Sequence, residues 1–266
     1  MMKKNLLLIL MCFVCGLVYA HDGLNFRNLD VKSGISDNYV RSVLRDQYGF
    51  MWFATLNGLN RYDGYQFKKY TTTQLGAYNN DIESIAEDAA GNIWIKGPVS
   101  YYIYDREQDK LENKIQPVLN KYGITGEVSY LTVDKDYNLW CTVMDTLFHY
   151  DFAKSKLHTF QLPGKEKMQQ VVCRRSYLLF SNREIARIDS NFQHIRPETR
   201  RTISSGLQYN LYIDTVDRLW FYASHASGLQ CYDTNQKQWI DYVGRQEVTD
   251  ALITAVMDDG DGNWNG

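Results

Sequence analysis

The chain has 266 residues, of which 44% are apolar and 14% aromatic, and it contains 20 Tyr but only 4 Pro. This composition excludes a disordered chain and indicates a substantial core. The formal net charge of −2 argues against nucleic acid as a partner, because phosphate binding needs clustered positive charge. The one dense basic cluster, formed by Arg196, Arg200 and Arg201, is interpreted as a solvated loop between repeats.

Residues 1–20 are predicted to be a secretory signal peptide. Lys3 and Lys4 precede an apolar run from Leu6 to Val18, and Val18-Tyr19-Ala20 is an acceptable cleavage site. An uncleaved membrane anchor is the alternative, although the apolar run is shorter than the ~20 residues that a membrane span needs. The mature chain would then begin at residue 21, with a short strand expected at Leu24–Leu29.

The first complete unit, residues 39–70, reads as four short strands joined by tight turns. Tyr39–Leu44 is predicted as an innermost strand with both faces packed. An Asp followed three residues later by Gly predicts the first turn, and Asp63-Gly64 predicts a hairpin turn. The remaining strands are predicted at Phe50–Thr55, Gly58–Tyr62 and Gln66–Tyr70.

The same pattern recurs along the chain. Trp residues occur at 52, 94, 140 and 220, each preceded six residues earlier by Asp, and the spacings are 42, 46 and 80 residues. Phe180 lies midway between Trp140 and Trp220 and indicates a degenerate copy of the repeat, in which Phe replaces Trp. An Asp at 63, 105, 151, 189 and 233 closes each copy. A period of about 40 residues with four strands in each unit is typical of a β-propeller.

Some units depart from the pattern. Tyr137 and Asp217 stand where other units have a turn Gly, and the polar stretch Glu112–Glu127 lengthens one interval. A sixth unit begins at Asp259 and reaches Trp264, two residues before the last residue given. The fold class predicted is therefore all-β, a propeller of four-stranded blades with about five blades and an incomplete sixth. The chain is expected to be a truncated piece of a longer protein.

The repeated acids permit two interpretations. Paired carboxylates carry out glycoside hydrolysis, but one Asp at the same position of successive units is what turn capping demands. Asp259, Asp261 and Asn263 resemble the start of a calcium loop that lacks its required Gly. The five His show no close ligand spacing, and the sequence contains no familiar catalytic or nucleotide-binding motif. No catalytic, cofactor-binding or metal residue is therefore predicted, and the ligand-binding residues are unknown.

Three cysteines remain after residue 20, and each lies in or beside a predicted strand of a different unit. Because Cys141, Cys173 and Cys231 are odd in number, disulfides are not expected to hold the fold. We expect buried thiols that pack as small apolar side chains. Tyr62, Tyr104, Tyr150 and Tyr232 recur at one repeat position and are expected to pack within blades.

The combination of D-x-x-G-x-[ILM]-W with a Gly-Leu-x-x-Tyr-Asp tail resembles the two-component-regulator propeller repeat. That repeat occurs in the periplasmic sensor regions of hybrid histidine kinases of the Bacteroides group. The opening, Gly34-Ile35-Ser36 with Asn38 and Val40, followed by residues 49–63, is similar to the first blade of those sensors. The resemblance implies seven-bladed propellers, a membrane span, a kinase core and a DNA-binding module in the full-length protein, which is anchored in the inner membrane and dimeric.

The resemblance also implies a function for residues 21–266, namely a partial β-propeller sensor domain in the periplasm. Its expected partners are a glycan breakdown product, or a protein that bears it, and the remainder of the sensor kinase. No cofactor and no bound nucleic acid are expected, and the chain itself is not expected to be an enzyme. Two alternatives remain open: a propeller enzyme acting on polysaccharide, and a free-standing periplasmic scaffold for protein partners.

Overall fold

The computed structural model describes residues 28–162, 168–172, 177–180, 184–189, 194–200, 209–223 and 229–240. Within these residues, twenty strands form five antiparallel sheets of four strands each, and each sheet is built from four strands consecutive in sequence. The predicted all-β propeller of four-stranded blades is confirmed, with five blades in the described part of the chain. The predicted signal peptide and sixth unit lie outside the described residues.

Blades 1 to 3 contain strands β1 to β12. Blade 1 comprises β1 (Val40–Arg45), β2 (Met51–Thr55), β3 (Gly58–Tyr62) and β4 (Phe67–Tyr70). Blade 2 comprises β5 (Ser84–Glu87), β6 (Ile93–Lys96), β7 (Tyr101–Asp105) and β8 (Lys110–Glu112). Blade 3 comprises β9 (Val128–Val133), β10 (Leu139–Val143), β11 (Thr146–Asp151) and β12 (Lys156–Gln161).

Blades 4 and 5 contain strands β13 to β20. Blade 4 comprises β13 (Met168–Val172), β14 (Tyr177–Phe180), β15 (Glu184–Ile188) and β16 (Ile195–Arg200). Blade 5 comprises β17 (Tyr209–Ile213), β18 (Arg218–Ala223), β19 (Leu229–Asp233) and β20 (Gln238–Ile240). The described helices are a short α-helix, α1 (Gln116–Lys121), and two 3-10 turns at Val31–Ser33 and Thr73–Leu75.

The blades are arranged around an axis lined by their first strands. β1 contacts β5, β5 contacts β9, β9 contacts β13, and β13 contacts β17. We call the turn between the first and second strands of a blade its inner turn, and the turn between the third and fourth strands its outer turn. Because the strands are antiparallel, both turns of every blade lie at the same end of its sheet.

Apolar clusters between neighbouring blades make up the core. Trp52 of blade 1 packs with Ile93 of blade 2, and Trp94 of blade 2 packs in the cluster that contains Leu131 of blade 3. Trp140 shares its cluster with Phe180 of blade 4. Each blade thus buries its apolar face against the next one, so the stability of any blade depends on its neighbours.

The prediction that both faces of the innermost strand are packed is wrong for β1. The Leu44 side chain packs against the core shared with blade 2, but Val40 is 39% exposed and Val43 is 53% exposed. The physical reason is position, since β1 borders the axis, where nothing in the described part of the chain covers its other face. An innermost strand therefore needs only one apolar face.

Three further sequence predictions need correction or completion. The polar stretch Glu112–Glu127 contains α1, and Leu119 and Ile124 from this stretch are fully buried between blades 2 and 3. Arg196 and Arg200 lie in β16 and not in a loop, because the fourth strand of blade 4 begins later than the sequence indicated. Asn28 and Leu29 are not in a strand, and the rest of the predicted strand at 24–29 lies outside the described residues, as does Arg201.

Candidate functional site

Four blades share one contact between a carboxylate and a buried indole. The Trp Nε1 donates to Oδ2 of the Asp six residues earlier in the pairs Trp52–Asp46 (2.9 Å), Trp94–Asp88 (2.8 Å), Trp140–Asp134 (2.8 Å) and Trp220–Asp214 (2.9 Å). The other carboxylate oxygen accepts two backbone N–H groups of the inner turn. At Asp88 these come from Ala90 and Asn92, each at 3.0 Å. Burial raises the pKa of Asp88, while hydrogen bonds from Asn92 and Trp94 oppose that change.

The predicted turn-capping role of the repeated Asp is thus present in the structure. The bond to the indole was missed, although the constant six-residue separation of Asp and Trp was the signal that could have shown it. Because both oxygens of each carboxylate have donors within the fold, these four acids hold the second strand to its inner turn. Asp46 and Asp88 both border the cleft described below, but each already accepts an indole N–H and backbone N–H groups of its own blade.

The inner turns require a left-handed residue at one position. Gly49 (φ 89°) and Gly91 (φ 82°) supply it without strain, and Asp217 (φ 68°) takes the same conformation in blade 5. In blade 3 the residue is Tyr137, with φ 62°. A bulky residue rarely adopts this backbone conformation, so Tyr137 marks a departure from the repeat.

A guanidinium ties blade 1 to blade 2 at the end of the sheets that carries these turns. Arg106, from the outer turn of blade 2, donates to Asp46 Oδ2 (3.1 Å), to Glu87 Oε1 (2.9 Å) and to the carbonyl of Gly91 (3.1 Å). The backbone N–H of Gln47 donates to the other Glu87 oxygen at 2.9 Å. Burial raises the pKa of Glu87, and the bond from Gln47 and the charge of Arg106 counteract it. We call these residues the Arg106 clamp.

A cleft of about 680 Å³ opens beside the Arg106 clamp, between the inner turns of blades 1, 2 and 3. We call it the axial cleft. Its lining includes Arg45, Tyr48, Glu87, Ala89 and Tyr137. Tyr48 is 66% exposed and Tyr137 is 57% exposed, and the Ala89 N–H donates to the Tyr137 carbonyl at 3.0 Å. Exposed aromatic rings at the mouth of a cleft suit the binding of a ligand with apolar faces.

A second charged cluster connects the outer strands of blades 1 and 2. Asp109 Oδ1 accepts from Arg61 (3.1 Å), from the Tyr70 hydroxyl (2.5 Å) and from the Tyr104 hydroxyl (2.6 Å), and Oδ2 accepts from Lys68. Burial alone would raise the pKa of Asp109, but hydrogen bonds from these donors and the Arg61 charge outweigh it and hold the pKa well below its usual value. We call these residues the Asp109 cluster.

His149 and the described Cys side chains serve packing, whereas His194 is exposed and its Nδ1 lies 3.1 Å from Asp189 Oδ2. His149 stacks on Trp140 with ring centroids 4.0 Å apart, and burial together with the His158 charge lowers its pKa to about 4. Cys141 and Cys231 are buried free thiols, as predicted, and burial raises the pKa of each to about 12. Cys173 lies outside the described residues.

The remaining sequence predictions concern the repeated tyrosines, a possible calcium loop, metal ligands and a membrane anchor. Of the repeated tyrosines, Tyr62, Tyr104 and Tyr232 are buried and Tyr150 is partly buried, and the last three pack in clusters between neighbouring blades and not within one blade. The segment considered for calcium, residues 259–263, lies outside the described residues. Among the residues that the structure describes, no group of three or more His, Cys, Asp or Glu side chains could hold a metal ion. No helix in that part is long and apolar enough to cross a membrane.

Comparisons with known proteins give one family match and several related structures. Residues 34–57 match the family described as two component regulator propeller. The extracellular domain of a hybrid two component system from B. thetaiotaomicron aligns at 21% identity and a TM-score of 0.54, covering 80% of this chain and 31% of that one. A second such domain from the same organism aligns at 19% identity and a TM-score of 0.55, covering 88% and 33%. This chain thus spans about a third of their length.

A lower likeness exists to virginiamycin B lyase from Staphylococcus aureus, at 14% identity and a TM-score of 0.46, covering 74% of this chain and 67% of the lyase. That score carries no argument about activity. No curated protein matches the sequence. The resemblance predicted from the sequence is confirmed by the family match and the two extracellular domains: residues 34–57 carry the two component regulator propeller repeat, and the described blades have the fold of the extracellular domains of hybrid two component systems.

Proposed function

We propose that this chain is part of the ligand-sensing region of a hybrid two-component signalling receptor, exported to the periplasm, and that it responds to glycan breakdown products. The observation that carries the proposal is the match of residues 34–57 to the two component regulator propeller family. The fold shared with extracellular domains of hybrid two component systems from B. thetaiotaomicron supports it. The kinase, receiver and DNA-binding parts would belong to the rest of that receptor.

The use of the acidic side chains favours a binding module over an enzyme. A glycosidase needs two carboxyl groups free to act on one glycosidic bond, held about 5 to 10 Å apart. In the described residues the four repeated Asp each accept an indole N–H and two backbone N–H groups, so their oxygens are committed to the fold. We therefore propose that this chain binds its ligand without chemical change.

Deletion of the gene in its native host would test the proposal. RNA would be measured after the cells receive each of a panel of polysaccharides, with glucose as control. A sensor predicts that one polysaccharide no longer induces its degradation genes, while growth on glucose is unchanged. Intact induction with a loss of polysaccharide cleavage would instead show an enzyme. Intact induction and intact cleavage would favour the free-standing scaffold.

Cell fractionation would test the proposed location. The signal peptide predicted at residues 1–20 should deliver the chain across the inner membrane. A protease added to spheroplasts should therefore degrade it, while a cytoplasmic marker survives. Protection from the protease in intact spheroplasts, with cleavage after lysis, would contradict export.

A further inference from the structure

We propose that the axial cleft is a binding site for a neutral sugar, whose pyranose ring stacks on Tyr48 and Tyr137. This inference rests on the proposed response to glycans and adds to it a site and a chemical class. The cleft lies where the inner turns of three blades meet, and its volume of about 680 Å³ is within the range of small-ligand sites. Several oligosaccharide subsites could be accommodated by a cleft of this size.

The Tyr48 ring is held in place before any ligand arrives. The Arg106 guanidinium lies 4.4 Å from the centroid of the ring, and Asp46 and Glu87 fix that guanidinium by two ion pairs. The ring nevertheless remains 66% exposed. A fixed ring with an open surface loses little conformational entropy when a sugar stacks on it, and this preorganisation favours binding.

Tyr137 combines backbone strain with exposure. Its φ of 62° is a conformation that the inner turns of blades 1 and 2 assign to glycine. A side chain that gained its place by packing would be buried, yet Tyr137 is 57% exposed. Strained residues that persist without a packing reason concentrate at functional sites. Tyr137 lines the axial cleft, so contact with a ligand is a functional reason for its strained backbone.

The charges of the lining favour a neutral ligand. Glu87, Asp46 and Asp88 border the cleft, and Arg106 pairs with the first two. Arg45, which pairs with Met51 through its backbone, also lines it, and its guanidinium makes no ion pair or hydrogen bond with any residue that the structure describes. Its guanidinium can donate to sugar hydroxyls, whereas a sulfate or uronate would approach the buried carboxylates and be repelled. Acidic oligosaccharides should therefore bind more weakly than neutral ones.

Two substitutions can separate binding from folding. Tyr137→Gly removes the ring and restores the residue that the inner turn accommodates without strain, so the unfolding midpoint should stay the same or rise. Tyr48→Ala removes the other ring. The control is Tyr78→Ala, because Tyr78 is fully exposed in the connection between β4 and β5, at the opposite end of the sheets.

Isothermal titration calorimetry of the full chain would use neutral gluco-, manno-, xylo- and galacto-oligosaccharides of two to six sugars. A matched set would carry uronic acid or sulfate. We expect one neutral series to bind, and each of Tyr137→Gly and Tyr48→Ala to weaken it about tenfold or more. Tyr78→Ala should bind like the original chain.

The outcomes of this experiment distinguish an error about the binding site from an error about glycan sensing. Neutral sugars that bind equally well to all variants would overturn the axial cleft as the site while leaving glycan sensing intact. Preferential binding of the acidic set would overturn the neutral class. If no oligosaccharide of either set binds, both the cleft and direct glycan sensing by this chain are wrong. A large fall in the unfolding midpoint of Tyr137→Gly would contradict the argument from strain.

Discussion

The two oxygens of the Asp88 carboxylate face different donors, and an amide cannot replace both. Oδ1 alone accepts from the backbone of the inner turn, and Oδ2 alone accepts from the Trp94 indole at 2.8 Å, while the Asn92 side-chain amide donates to both oxygens. In Asp88→Asn the amide NH2 would face one of these donors, leaving a buried N–H unpaired. We expect a loss of about 1–3 kcal/mol in the free energy of unfolding, measured by urea denaturation followed by fluorescence.

Asp105 provides the matched control for that substitution. It caps the outer turn of the same blade with one oxygen, which accepts from Glu107 (2.9 Å) and Gln108 (3.0 Å). An Asn side chain retains that oxygen and caps turns nearly as well as Asp. Asp105→Asn should therefore cost only about 0.5 kcal/mol or less. Equal losses at the two positions would show that the indole bond contributes nothing specific.

The Trp residues of the repeat should matter more than a Trp outside it. Trp94 is 2% exposed and lies in the core between blades 2 and 3, so Trp94→Ala leaves a large cavity. The expected cost is roughly 3–5 kcal/mol. Trp239 is only partly buried at the edge of its cluster, and Trp239→Ala should cost less. Denaturant unfolding of the two variants side by side would refute this ranking if the losses were equal.

At the scale of the strand and its connections, the Asp109 cluster should make stability depend on pH. The pKa of Asp109 in the fold lies below its ordinary value of about 4. The ionised carboxylate therefore stabilises the fold above about pH 4, and that stability is lost as the pH falls through the folded pKa. In Asp109→Asn this part of the pH dependence should disappear, because no proton can bind there.

Unfolding measurements between pH 7 and pH 2 would check that expectation. The stability difference between the original chain and Asp109→Asn should be largest near neutral pH and should shrink below about pH 4. Asn is a suitable replacement because residue 109 has φ 51°, a conformation that Asn tolerates. A difference that is constant over the whole range would mean that the carboxylate is not held in its ionised form.

Most strands could be predicted because their turns have a strong local pattern. The third strand of blade 1 was predicted at Gly58–Tyr62 and occupies those residues. Elements that lack this turn pattern were not predicted. α1 was missed because it has a single buried side chain, Leu119, in a polar segment. β16 was missed because its sequence, Ile195–Arg200, contains two Arg, one Glu and one Pro, a composition that resembles a loop.

At the scale of the whole molecule, the Arg106 clamp should couple blade 1 to blade 2. Removing the guanidinium by Arg106→Ala leaves the carboxylates of Asp46 and Glu87 buried without their shared cation. Hydrogen bonds to charged groups contribute about 1.5–3 kcal/mol each, and partial exposure of Arg106 reduces their effect, so we expect a loss of about 2 kcal/mol.

Arg106→Lys is the more specific comparison. Lys keeps the positive charge, but it cannot donate in three directions from a planar group. If geometry matters, Arg106→Lys should be nearly as destabilised as Arg106→Ala in urea unfolding. Full recovery by Lys would show that the clamp acts by charge alone.

The repeat of about 40 residues was sufficient to predict a propeller, but it could not predict the ligand-binding site proposed for the axial cleft. Arg45, Glu87 and Tyr137 lie far apart in the chain and meet only because the inner turns of three blades converge at one end of the axis. A short sequence motif does not show which turns meet in the folded chain. The sequence did mark Tyr137 as a departure from the repeat, and it marked Asp46 and Asp88 as repeated acids, but it did not show that these residues line one cleft.

The most direct test of the account is hydrogen exchange at the indole N–H groups, followed by NMR on a chain with ¹⁵N-labelled Trp. The central claim is that the repeated Asp residues hold buried indoles and thereby maintain the blades. Trp52, Trp94, Trp140 and Trp220 should all exchange slowly, near the limit set by unfolding of the described blades. Exchange of these four indoles as fast as that of free Trp would contradict the claim.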